Sequence, residues 1–231
     1  MKILAFSDVH SDLDQISKLA KKAKDVDLLL CAGDISEFGD KIGQLFKALD
    51  IGLPMIYIPG NHEDEGFDVS KRFKYIKNIH KKSLCSDAVL FLGCGASDKS
   101  RKLTSITKII APKVRGSKLA KTGNKILFLG CGGGGLSRYF TTFERLIPKF
   151  KKAVEKHTGL VILVTHTPPY RTKLDQMGRM DVGAEPIRKF IEAVQPDFAI
   201  SGHIHENTGR KDKIGKTVLI NPGPKGVVIE V

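Results

Sequence analysis

Five short clusters hold most of the side chains in this chain that could do chemistry: Asp8-x-His10, Gly33-Asp34, Gly60-Asn61-His62-Glu63, Thr165-His166 and Gly202-His203-x-His205. Five of the seven histidines fall in them, in the company of Asp8, Asp34 and Asn61. Imidazole, carboxylate and carboxamide oxygen suit manganese, iron, zinc, cobalt or nickel, and with no thiolate among them a structural zinc site is disfavoured. Seven donors (Asp8, His10, Asp34, Asn61, His166, His203, His205) are too many for one ion. They are about right for two, with water or substrate completing each shell. Two cations held about 3.5–4 Å apart, as in two-metal hydrolases, need a negative group between them, and Asp34 is the best candidate for that bridge.

Each cluster follows an apolar run. Lys2–Phe6 leads into Asp8 and His10, Asp27–Cys31 into Asp34, residues 54–58 into Asn61 and His62, Leu160–Val164 into His166, and Phe198–Ile200 into His203 and His205. Runs of this length that stop at a turn read as strands, and helical periods follow the first two (Leu13, Ile16, Leu19; then Ile42, Leu45, Phe46, Leu49). Strand, polar cluster and helix in repetition predict right-handed crossovers and largely parallel, two-sided sheets. In such sheets ligands bind outside the carboxyl ends of the strands, where these clusters lie.

Other local readings are more ordinary. Ser11, with Asp14 three positions on, is expected to cap the first helix. The near-identical runs Leu90–Gly95 and Leu127–Gly132 read as neighbouring strands of a second sheet. Gly132–Gly135 lacks the Lys-Ser/Thr of a phosphate-cradling loop and reads as a turn. A helical period from Phe140 to Val154 crosses Pro148, which is expected to kink that helix or move its start. A further helix is expected from about Pro186, and Thr217–Ile220 with Gly226–Val231 reads as a closing hairpin around Asn221-Pro222-Gly223-Pro224. Glu63 is expected to orient a neighbour or cap a helix rather than bind metal, Glu206 to sit at a turn or rim, and Asn221 to shape a turn. Asp175 falls either in a pocket-lining loop or in a plain surface loop; His80 and His157 have no supporting pattern.

With 231 residues, 41% hydrophobic and 27% charged, the chain can bury a sizeable core without disulfides. No stretch approaches the roughly 18 apolar residues of a membrane helix, and Met1 runs straight into a strand, so a cytoplasmic location is expected. The cysteines at 31, 85, 94 and 131 show no Cys-x-x-Cys spacing and read as reduced, packed thiols. A net charge of +13 favours anionic partners. It is concentrated in residues 94–125, which carry nine Lys or Arg against one acid, Asp98.

Taken in order, the five clusters resemble the motifs of the calcineurin-like metallophosphoesterases, from residue 8 to residue 205. Pro168-Pro169 and Asn221-Pro222-Gly223 are similar to details of the compact bacterial and archaeal members. The resemblance implies an α/β fold of one domain over residues 1–231: an α/β/β/α four-layer sandwich of two mixed β-sheets flanked by helices, with a dinuclear metal site at the C-terminal ends of the strands. It further implies one ion on Asp8, His10 and His205, a second on Asn61, His166 and His203, and Asp34 shared between them. His62 is then left free of metal, to contact the phosphate and assist the leaving oxygen. Adjacent residues in a tight turn point different ways, which agrees with that split of Asn61 from His62.

The expected activity is hydrolysis of a phosphodiester or phosphomonoester, on a small molecule or nucleotide, by in-line attack of a metal-bridging hydroxide. The expected cofactor is a pair of divalent or trivalent transition-metal ions, manganese first, with iron, zinc, nickel or cobalt as alternatives. Two rival readings stand beside it. One is a nuclease using the basic segment 94–125, although that segment lacks the aromatic interleaving of a base-stacking surface. The other is a non-catalytic scaffold on the same fold, disfavoured because every ligand type and His62 are present.

Overall fold

The computed structural model describes residues 1–63, 69–80, 82–85, 89–94, 107–108, 126–131 and 136–231. The basic segment 94–125 and the glycine run 132–135 fall outside these residues, apart from Cys94 and a two-residue strand at 107–108.

The first sheet is built from β1 (Lys2–Phe6), β2 (Leu28–Cys31), β3 (Met55–Tyr57), β4 (Ile76–Asn78) and β15 (Val227–Glu230). Its order is β15-β1-β2-β3-β4. Four of these strands are parallel, and β15 pairs antiparallel with β1. The second sheet takes β5 (Lys82–Cys85), β6 (Val89–Cys94), β7 (Thr107–Lys108), β8 (Ile126–Cys131), β9 (Leu160–Thr165), β12 (Phe198–Ile200), β13 (Lys211–Ile214) and β14 (Thr217–Ile220), in the order β13-β14-β12-β9-β8-β6-β5-β7. The two similar runs are indeed adjacent: β6 and β8 pair in parallel, Leu90 against Leu127 and Cys94 against Cys131. A small hairpin, β10 (Gln176–Met177) with β11 (Met180–Asp181), stands apart from both sheets.

Side-chain alternation along the strands divides the core into three layers. Leu4, Phe6, Leu29 and Tyr57 face α1 (Leu13–Lys22) and α2 (Ile42–Leu49), meeting Ile16, Leu19, Leu45 and Phe46. Ile3, Ala5, Leu28 and Leu30 point the other way and meet Ile162, Val164, Ile200 and Ile220 of the second sheet. Val161, Leu163, Ala199 and Leu219, on that sheet's outer side, pack on Phe143, Phe150, Ile187 and Phe190 of α4 (Leu136–Glu155) and α5 (Glu185–Val194). The order is therefore helix, sheet, sheet, helix. The central strands β1, β2, β9 and β12 have buried side chains on both faces, which is why they read as unbroken apolar runs rather than alternating ones.

Two local expectations need correction. The residue capping α1 is Asp12, whose side chain accepts from Gln15 N. Ser11 instead donates its hydroxyl to Asp40 O and accepts from Glu37 N, tying two loops together. The final two strands do not form a hairpin: β14 lies between β13 and β12 in the second sheet, while β15 crosses to the first and pairs with β1. The Asn221–Pro224 stretch thus passes between sheets rather than folding back. Pro148 lies inside α4, which spans Leu136–Glu155, so of the two expectations for it a moved helix start is not what is found.

The remaining helix, α3 (Val69–Arg72), is a single turn. Among the described residues no helix is long and apolar enough to cross a membrane. Cys31 is buried and unpaired, and burial raises its thiol pKa, as for a packed and unreactive cysteine.

Candidate metal centre

The carboxyl ends of β1, β2, β3, β9 and β12 meet along one edge, and all eight side chains singled out in the five clusters meet there. Asp8, His10 and His205 have ligand-type atoms within 4.8 Å of one another, as do Asp34, His166 and His203. A third such group joins His10, Asp34 and His62. Asn61 reaches the second group, its Oδ1 lying 3.0 Å from His166 Nε2. Asp34 Oδ2 stands between the sides, 3.1 Å from His166 Nε2 and 3.9 Å from His10 Nε2.

Hydrogen bonds behind these groups set their orientation. His166 Nδ1 faces Ala32 O at 2.9 Å, an arrangement in which Nδ1–H donates and Nε2 turns to Asp34 and Asn61. His10 Nδ1 meets Glu37 Oε2 at 2.7 Å, leaving Nε2 only 3.0 Å from His205 Nε2. Outer carbonyl and carboxylate partners of this kind fix the ring and raise its basicity at metal sites. Asp8 accepts from Ser7 Oγ at 2.6 Å and from His203 N at 2.9 Å. Asp34 Oδ1 accepts from His62 N at 2.9 Å. Asn221, fully buried, donates to Ile204 O and accepts from Gly223 N, so it shapes the turn that carries His203 and His205.

The backbone is strained where these residues sit. Asp8, His10, Asp34 and His203 have φ of 55°, 49°, 50° and 72°, a left-handed region that costs a residue with a side chain about 1 kcal/mol or more. Glycines provide the close approaches. A Cβ on Gly60 would collide with the Asp34 carboxylate, and one on Gly202 with Asp8 and Ser7.

Glu63 is the internal support of the site. Its carboxylate accepts from Asp34 N, Gly60 N, Ser36 N and Ser36 Oγ, tying the loop after β2 to the loop after β3. Burial and the nearby Asp34 charge raise its pKa to about 7, against the pull of the Ser36 and Gly60 donors. Glu63→Ala strands four buried donors at about 1–3 kcal/mol each. A loss of at least about 3 kcal/mol is expected, a fall in Tm of roughly 6–12 °C for a chain of this size. Thermal unfolding of the variant checks this, and a shift under about 2 °C would remove Glu63 from the role.

The electrostatics suit cations. Burial opposes charge on Asp34, yet the His166 charge and hydrogen bond, with the His62 N–H, outweigh it and hold the carboxyl below the ordinary range. Burial likewise opposes protonation of His166, but Asp34, Asp8 and the Ala32 carbonyl raise its pKa to about 9. His203 goes the other way, lowered to about 4 by burial and by the charge of His166, and so offers a neutral ring. A proton on His166 thus supplies the positive charge that a metal ion would bring on displacing it. The donor set, the two facing imidazole nitrogens and the central carboxylate fit a pair of transition-metal ions.

Two nearby residues escaped the sequence reading. Glu37 lies 2.7 Å from His10 Nδ1 and 3.0 Å from His62 Nδ1, one carboxylate close to two histidines but hydrogen-bonded to His10 alone of the two. Its place three residues after Asp34 was the available signal. Phe38 follows it, with its ring centroid 4.5 Å from that of His62. Asp175 is not a surface residue: fully buried, it accepts from Arg171 N, Thr172 N and Gly183 N and closes the loop beyond His166. Glu206 is exposed in the turn after His205, as expected.

A family model described as calcineurin-like phosphoesterase matches residues 1–207. An uncharacterised protein of Methanocaldococcus jannaschii is 30% identical over 237 aligned residues, covering 99% of this chain and 91% of its own. Among solved structures, a protein of Thermus thermophilus superposes with a TM-score of 0.62 at 18% identity, covering 97% of this chain and 90% of that one. A dimetal phosphatase from Danio rerio gives 0.54 at 13% identity, covering 95% and 86% respectively.

Proposed function

The chain belongs to the calcineurin-like phosphoesterase family, and from that premise we propose that it hydrolyses a phosphomonoester or phosphodiester at a centre of two transition-metal ions. Asp8, His10 and His205 would hold one ion, Asn61, His166 and His203 the other, and Asp34 both. The observation that carries this reading is the pair of donor groups either side of one buried carboxylate. A phosphatase with two metals is also what the zebrafish structural neighbour is described as. Imidazole, carboxylate and carboxamide together accept several first-row metals, and manganese is the ion to load first, with iron, zinc, nickel and cobalt as alternatives. When bound, the ions supply an activated water near neutral pH and neutralise the phosphoryl oxygens.

The remaining work falls to side chains of the chain itself. Glu37 lies 3.0 Å from His62 Nδ1, on one side of the ring, and Nε2 is the nitrogen left to hand a proton to the departing oxygen. Glu63 and the Asp34 to His62 N–H contact keep the loops after β2 and β3 in register while the ester changes. The reading takes residues 1–231 as one domain.

The test is metal loading followed by assay. Mn²⁺ at about 100 times its Kd is expected to add about 2.7 kcal/mol of stability, a rise in Tm of roughly 5–10 °C that a chelator reverses. The loaded protein should then hydrolyse p-nitrophenyl phosphate or bis(p-nitrophenyl) phosphate, with cyclic nucleotides and short oligonucleotides used to find the class preferred. Protein that takes up no metal and stays inactive across that panel would instead be a scaffold built on this fold.

A further inference from the structure

Phe38 is the most exposed of the large hydrophobic residues described, at 76%, and its ring lies against His62 with planes 39° apart. It gains little by burial. Its backbone adds a cost, since φ is 47° at Phe38 in a turn where Gly39 and Lys41 are also left-handed. The turn is held from its neighbours: Asp40 N donates to Glu37 O, Glu37 N to Ser11 Oγ, and Ser11 Oγ to Asp40 O. Ser36 on the other side is locked to Glu63. The ring is therefore set out beside the centre by its backbone, and among the described residues it is in no hydrophobic core cluster.

An aromatic face so placed can stack a planar group, and such stacking accepts any base or ring because each has a π-face. Resting on the functional reading above, we infer that Phe38 is a specificity-determining residue that stacks a planar group of the phosphoester substrate on the leaving-group side, next to His62. The substrates favoured are thus esters of aryl alcohols or nucleosides over those of simple alkyl alcohols.

Binding rather than turnover tests this, by calorimetry on the Mn²⁺-loaded protein with two matched pairs: phenylphosphonate against methylphosphonate, and adenosine 5′-monophosphate against ribose 5-phosphate. The parent should prefer the planar member of at least one pair by about 5- to 100-fold, the worth of one stacked ring. Phe38→Ala should collapse that ratio and Phe38→Tyr should keep it. Collapse in the nucleotide pair alone assigns a nucleobase; collapse in the phenyl pair assigns aryl groups in general. A ratio near one in the parent, or a ratio that Phe38→Ala leaves intact while both members weaken together, overturns the inference, the second result making the ring a mere support for His62. Unfolding adds a second check: Phe38→Gly should not lower Tm, and a fall of several degrees would mark a structural ring. Hydrolysis in the parent is measured alongside, so a chain that binds these probes but cleaves no ester refutes the phosphoesterase reading, and with it the leaving-group assignment, while a preserved Phe38-dependent ratio still shows the stacking itself.

Discussion

Asp34→Asn should abolish the centre. The substitution keeps the size of the side chain and an oxygen for the His62 N–H, so the loops should stay in place while the shared negative charge is lost. Elemental analysis is expected to fall from two ions per chain to one or fewer. Turnover should fall by about 10³-fold or more, since bound ions supply several kcal/mol of charge stabilisation and each 1.36 kcal/mol is tenfold. The metal-free protein should suffer too. His166 is fully buried, and its raised pKa of about 9 depends on Asp34, so a neutral neighbour removes the reason for it to hold a proton. Two ions per chain at the parental rate in Asp34→Asn would mean that Asp34 is no bridge.

His62→Ala is expected to cost turnover about 10² to 10⁴-fold, the worth of a positioned acid, while metal content stays near that of the parent. The backbone N–H that serves Asp34 survives this change, so the ligands keep their frame. His62 lies with His10 and Asp34 in a group compact enough to hold an ion, and its ring meets the His10 ring edge-on at 4.8 Å. Two signatures separate the roles. An acid lost from the leaving-group side hurts esters of alkyl alcohols far more than p-nitrophenyl esters, whose leaving group needs no proton. A ligand lost hurts both alike and takes metal with it, and that outcome would move His62 into the coordination set.

Much of the fold was legible because it is written in local pattern. Two-sided strands show as unbroken apolar runs, and each run that ends at Asp8, Asp34, Asn61, His166 or His203 did prove to be a strand of a parallel array. Reading failed where neighbours in sequence part company in space. A hairpin from β14 to β15 satisfied every local signal, yet the two strands complete different sheets, β15 pairing antiparallel with β1 and β14 lying beside β12. Ser11 looked like a cap, but a contact with Asp40 claimed its hydroxyl and passed the cap to Asp12.

The same division runs through the centre. Residue type and position after a strand, both local properties, determined from sequence alone which donors reach the carboxyl edge. Which donors then share an ion-sized space depends on chain segments far apart: His10 meets His205 across 195 positions, and His166 meets Ala32 across 134. Left-handed backbone at Asp8, His10, Asp34 and His203, and the seating of Glu37 under two histidines, were likewise decided only by the tertiary structure. The physical reason is that local sequence sets the cost of each conformation, whereas the packing of two sheets face to face sets whether that cost is outweighed.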